Sequence, residues 1–181
     1  MTELPNGYRR TANVNILTSR AMSTLSVLLL GGMLALGFGL APRERPKMSG
    51  GETVGWLIGL FAAIALYMLL HELVHGAFMR GFSHVKPRYR FRGAYAAAGS
   101  DAFFTRKQYV TVALMPLLLL GAGLLLINAV LYPRLFWFVY IVQMLNVSGS
   151  AGDLYISARI LKMPRMTLVQ DTGTEMRFFT R

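Results

Sequence analysis

The chain has 181 residues, 54% of them hydrophobic, with a mean hydropathy of +0.45 and no cysteine. A soluble domain of this size does not carry such long apolar runs, and the lack of cysteine excludes disulfides, thiolate metal sites and cysteine nucleophiles. The formal charge of +11 could suggest nucleic acid, but its placement argues otherwise, because the Lys and Arg residues sit between apolar runs and form no compact basic domain.

Four apolar runs predict four transmembrane helices, at residues 21–41, 53–79, 110–132 and 135–161; each approaches or exceeds the ~20 residues that cross a bilayer. The first is read as an uncleaved anchor, not a signal peptide: its apolar core is longer than a typical h-region, and Pro42 follows Ala41. Segments 1–20, 80–109 and 158–181 hold 3, 7 and 5 Lys and Arg, whereas 42–52 and 133–134 hold 3 and 1. The positive-inside rule then puts both termini and the long central loop in the cytoplasm. The expected fold class is all-α integral membrane, with about four transmembrane helices and a short cytoplasmic β-hairpin between the second and third. A basic N-terminal segment (1–20), one membrane domain (21–162) and a cytoplasmic tail (163–181) make up the expected organisation.

The hairpin is read over residues 86–98, within KPRYRFRGAYAAAG, where Arg88, Arg90 and Arg92 alternate with Tyr89 and Phe91 before a turn near Gly93. Such a ribbon can put its arginines on lipid phosphates and its aromatics at headgroup depth. The same arginines are candidate contacts for a substrate strand.

The second run ends in LLHELVHGAF, residues 69–78, after eighteen uncharged residues from Thr53 to Leu70. An i, i+4 spacing puts the imidazoles of His71 and His75 on one helix face, where two nitrogens can grip one ion. Glu72 points about 100° round the helix and can reach a water molecule instead of the metal. Chance is a poor explanation for HExxH in an apolar span, since an unpaired charge there costs roughly 2.5–3.5 kcal/mol or more. A third ligand is needed. Of the eight acidic residues only Glu72 and Asp153 fall inside the predicted spans, and His84 lies in the loop. Counted back from Met79 and Leu161, His71 and Asp153 each lie eight residues in, about 12 Å of helix in both cases. Asn146, Gly149, Ser150 and Asp153 recur on one face, and small residues let helices approach closely in lipid. Asn146 is either an interhelical hydrogen-bonding residue or a contact for substrate or oxyanion.

Three further features receive plain readings. Asp171-Thr172-Gly173 in the tail matches the aspartic-protease tripeptide, but that chemistry needs two facing aspartates on a β scaffold, so a β-turn is expected. Pro116 in the third run is read as a tolerated kink. Ser148 and Ser150 lack a base partner outside the metal residues.

An HELVH motif in one span with an acidic residue in a later one resembles the site-2 proteases, intramembrane zinc metallopeptidases. More narrowly, HELVHG, the downstream GD and the four-span layout resemble a prokaryotic family of membrane zincin peptidases, over roughly residues 53–162. The resemblance implies one Zn2+ ion held by His71, His75 and Asp153, with Glu72 as the catalytic acid and base. It also implies a transmembrane or membrane-associated protein substrate, and residence in the inner or plasma membrane of a prokaryote. Two departures from the site-2 pattern stand out: no proline lies between Asn146 and Asp153, and Met115 precedes Pro116 where glycine is common. Two rivals remain at this stage. A non-proteolytic metal-binding or transport protein needs further ligands along a path, and a catalytically inactive scaffold has no reason to keep Glu72. Nothing in the sequence sets an oligomeric state.

Overall fold

The computed structural model describes residues 1–15, 19–43, 48–92 and 95–181. In chain order the elements are β1 (Arg9–Asn15), α1 (Arg20–Leu40), α2 (Gly50–Ser83), β2 (Arg88–Arg92), β3 (Tyr95–Gly99) and β4 (Phe104–Thr105). They continue with α3 (Arg106–Leu131), α4 (Phe136–Gly149), α5 (Ala151–Leu161), β5 (Leu168–Asp171) and β6 (Glu175–Thr180).

Three of the helices, α1, α2 and α3, are long and apolar enough to cross a membrane among the described residues. Their ends are set locally. Ser49 caps α2 through a reciprocal pair with Glu52, and Thr105 caps α3 in the same way with Gln108. At its far end α2 stops at His84, which adopts a left-handed conformation (φ 59°) and returns its N–H to the Arg80 carbonyl at 2.7 Å. The outer faces stay apolar and open: Phe61, Leu126 and Val130 are 70%, 69% and 80% exposed. In water such faces would be covered, so they fit a lipid surround.

The fold is mixed, which corrects the all-α expectation with its four spans. Beyond the expected hairpin, which forms as the antiparallel pair β2–β3, a four-stranded antiparallel sheet in the order β1-β6-β5-β4 is present. The two terminal regions supply three of its strands and β4 the fourth, with Val169 opposite Phe178 and Val14 opposite Met176. Alternation along β6 turns Met176 and Phe178 inward, onto a core that includes Met79 of α2, Val112 of α3 and Ile156 of α5. These strands have too little apolar surface to stand alone and gain it from the helix ends. The fourth expected span is also corrected. It divides at Ser150 into α4, of 14 residues, and α5, of 11 residues, each short of the ~20 that cross a bilayer. The helix path is interrupted at Ser150, between Gly149 and Gly152, and glycine favours a continuous helix poorly.

Candidate metal centre

Helix α2 carries His71 and His75 one turn apart, and α5 brings Asp153 against them. The Nε2 atoms of the two histidines are 3.1 Å apart. His71 Nε2 lies 3.4 Å from Asp153 Oδ2, and His75 Nε2 lies 3.5 Å from Asp153 Oδ1. Among the described residues this is the group of His, Asp and Glu side chains able to converge on one ion, with one ligand atom from each within 4.8 Å of the others. His84, capping α2, is not part of it.

The remaining ring nitrogens decide what the convergent ones can do. His75 Nδ1 lies 3.0 Å from the Val112 carbonyl oxygen; a carbonyl only accepts, so Nδ1 carries the hydrogen. His71 Nδ1 lies 3.1 Å from the Tyr67 hydroxyl. Tyr67 donates to Asn146 Oδ1 at 3.3 Å, and the Asn146 amide nitrogen donates to the Leu117 carbonyl at 3.2 Å. With its own hydrogen committed to Asn146, the Tyr67 oxygen accepts from His71 Nδ1. In the neutral form of each ring, Nε2 then presents a lone pair to the other ring and to a carboxylate. Three such atoms repel unless a cation sits among them.

The spacing suits a metal ion. Charge-assisted N–H···O bonds run to about 2.7–2.9 Å, shorter than the 3.4 and 3.5 Å separations from Asp153. Ligands held tetrahedrally about zinc at ~2.0–2.1 Å are about 3.3 Å apart; the two Nε2 atoms, and each Nε2 with its nearer Asp153 oxygen, are 3.1–3.5 Å apart, the two histidines facing different oxygens of the carboxylate. Two neutral imidazoles and one carboxylate are also a donor set suited to zinc.

Glu72, next to His71, stands outside this ligand group and lines the same cavity of about 320 Å³. Its Oε2 accepts the Ala98 N–H from β3 at 2.6 Å, so the hairpin packs directly over the site. Gly76 makes that possible, since a Cβ there would fall 2.1 Å from the Tyr89 hydroxyl. The turn after β5 closes the cavity from the other side. Asp171 accepts from the Tyr109 hydroxyl and, at 2.8 Å, from Gly173 N–H; Asp171, Gly173 and Tyr109 line the cavity too.

The other sequence candidates lie elsewhere. Asn146 is fully buried, with its carbonyl and amide both engaged, seven residues before Asp153 and not on the cavity wall. Arg88 pairs with Asp101, and Arg90 is exposed on the outer face of the hairpin. The side chain of Arg92 and the turn at 93–94 are outside the described residues. Sequence reasoning passed over Tyr67, although 67, 71 and 75 form one i, i+4 series. It also read the Asp171 turn without placing it beside the helices.

Two histidines and a carboxylate, with a glutamate beside them, are a donor set of the kind zinc metallopeptidases use. The sequence model of the family described as "Putative zincin peptidase" matches residues 64–168. The match covers more than half of the chain, which belongs to this family. It takes in His71, Glu72, His75 and Asp153 and leaves out β1, α1 and β6. No curated protein and no solved structure matches the chain.

Proposed function

We propose that this protein is a zinc metallopeptidase of a prokaryotic cell membrane, cleaving membrane-associated protein substrates at the cytoplasmic interface. The observation that carries this reading is the convergence of His71, His75 and Asp153, with one ligand atom from each within 4.8 Å of the others, next to a glutamate that does not join them.

His71, His75 and Asp153 hold the ion. When bound, zinc acts as a Lewis acid toward a carbonyl and brings the pKa of a water toward neutrality. Glu72 takes the proton of the attacking water and returns it to the leaving amine. The Ala98 N–H fixes the carboxylate of Glu72 beside the cavity. A locally unwound substrate segment pairs with the cavity-facing edge of β3, a mode of strand addition in which main-chain hydrogen bonds supply the grip. This arrangement is similar to the site-2 proteases in its chemistry.

Helix length favours an interfacial position. The 34 residues of α2 extend for about 51 Å, well beyond the ~30 Å hydrocarbon core. Thr53 to Leu70 alone cover about 27 Å at 1.5 Å per residue. HELVH then begins where that apolar stretch ends, within reach of water.

Purified protein should hold one zinc per chain and cleave a model transmembrane peptide. Chelator should abolish cleavage, and Glu72→Gln should abolish it with zinc retained. Wild-type protein without zinc would overturn the reading, as would full activity in Glu72→Gln.

A further inference from the structure

Pro116 lies inside α3, four residues after Val112. In an unbroken helix the N–H of residue 116 would donate to the Val112 carbonyl, but proline has none, and its ring crowds the carbonyl of residue i−4 off the helix axis. That oxygen is the one His75 Nδ1 meets at 3.0 Å. Pro116 is itself fully buried, on the side of α3 packed within the protein.

We infer that Pro116 is a positioning residue for the metal centre: by withholding a helix N–H it leaves the Val112 carbonyl to accept the His75 Nδ1 hydrogen. That bond fixes the tautomer whose Nε2 lone pair faces His71 and Asp153, and it holds the ring against rotation. A proline in a buried helix ordinarily forfeits one hydrogen bond. Here the forfeited acceptor is transferred to a side chain of another helix, so no buried carbonyl is left unsatisfied.

The inference rests on the reading of the cluster as a metal centre, and two readouts keep them apart. The first is affinity for Co2+ and Zn2+, measured on the full chain in detergent by competition with a chromophoric chelator. Pro116→Ala restores the N–H, which competes for Val112 O. Loss of such an outer partner typically weakens metal binding about 10- to 100-fold, and that loss is expected here. Thermal stability of the metal-free variant should hold or rise, because the helix regains its bond. A merely structural proline predicts the reverse pattern: lowered stability with unchanged affinity.

The second readout is the imidazole 15N NMR spectrum of His75 in metal-free protein. Wild type should show the Nδ1–H tautomer, and Pro116→Ala a mixture of the two. Pro116→Gly restores the N–H without any side chain and should behave alike, which guards against a packing artefact in one variant. Equal affinity and an unchanged tautomer in both variants would overturn the role of Pro116. Wild-type protein that binds neither metal yet shows the proline-dependent tautomer would sink the metal centre and leave the hydrogen-bond transfer standing.

Discussion

Tyr67 does at His71 what the Val112 carbonyl does at His75, by a longer route. The His71 ring is oriented through a hydroxyl, the hydroxyl through the Asn146 amide, and the amide through the Leu117 carbonyl of α3. Both histidines are thus referred to backbone oxygens of one helix, which is a rigid reference in a way that flexible side chains are not. Tyr67→Phe keeps the ring and removes the link. Zinc affinity should fall about 10- to 100-fold. The Asn146 carbonyl, left buried without a donor, should lower stability by about 1–3 kcal/mol. Chelator competition and thermal melts of the metal-free protein check the two effects separately. An unchanged affinity would mean that His71 is held by α2 packing alone. Part of this centre was legible in the sequence. HELVH gives the two histidines by spacing, and counting residues brings Asp153 to the same level. The relay was not legible, because a buried Tyr or Asn in an apolar helix reads the same whether it orients a ligand or only packs.

Among the elements, the β2–β3 hairpin joins two walls of the cavity. It meets α2 at Gly76 and the β5–β6 turn at Gly99, and the two contacts differ in how far they can give. A Cβ at Gly76 would strike the far end of the Tyr89 side chain, which can swing aside. A Cβ at Gly99 would fall 2.5 Å from the Thr172 backbone carbon, which cannot move without the turn. Gly99→Ala should therefore destabilise by about 1–3 kcal/mol, as overpacking does, and thermal unfolding measures it. Gly76→Ala should change the melting point less, yet speed amide hydrogen exchange at Ala98 by loosening its bond to Glu72. If Gly76→Ala were the more damaging variant, the docking of the hairpin would depend on Tyr89 more than on the turn. Sequence patterns made this hairpin legible because its alternation and turn are local. The four-stranded sheet was not, since β1 finds its partner at the other end of the chain, Arg9 opposite Thr180. Nor did hydropathy reveal the division of the last run at Ser150, because Gly149 and Ser150 are tolerated in membrane helices whether or not they break them.

For the molecule as a whole, the sheet built largely by the two terminal regions and the helices that carry the ligands are held together at Asp171. Its backbone carbonyl accepts Ser100 N–H at 2.7 Å from the end of the hairpin, and its carboxyl group takes the Tyr109 hydroxyl of α3. The same carboxyl closes its own turn through Gly173 N–H. Burial raises the Asp171 carboxyl above its ordinary 3.8, against the hydrogen bonds from Tyr109 and Gly173, which favour the charged form. The sign of the linkage follows. Between the ordinary value and the raised one, the folded chain keeps a proton that the unfolded chain has released. Stability from this group is thus lost as pH rises through that window, and the slope ends above the raised value. Asp171→Asn removes the titration while leaving an oxygen to accept one of the two donors. The melting point of wild type minus that of Asp171→Asn should decline as pH is raised from about 4 toward neutrality. Metal-free protein is the right sample, because ligand protonation would otherwise release metal over the same range. A difference that grows with pH would mean that Tyr109 and Gly173 outweigh burial, and that the junction between sheet and helices is held by a charged carboxylate.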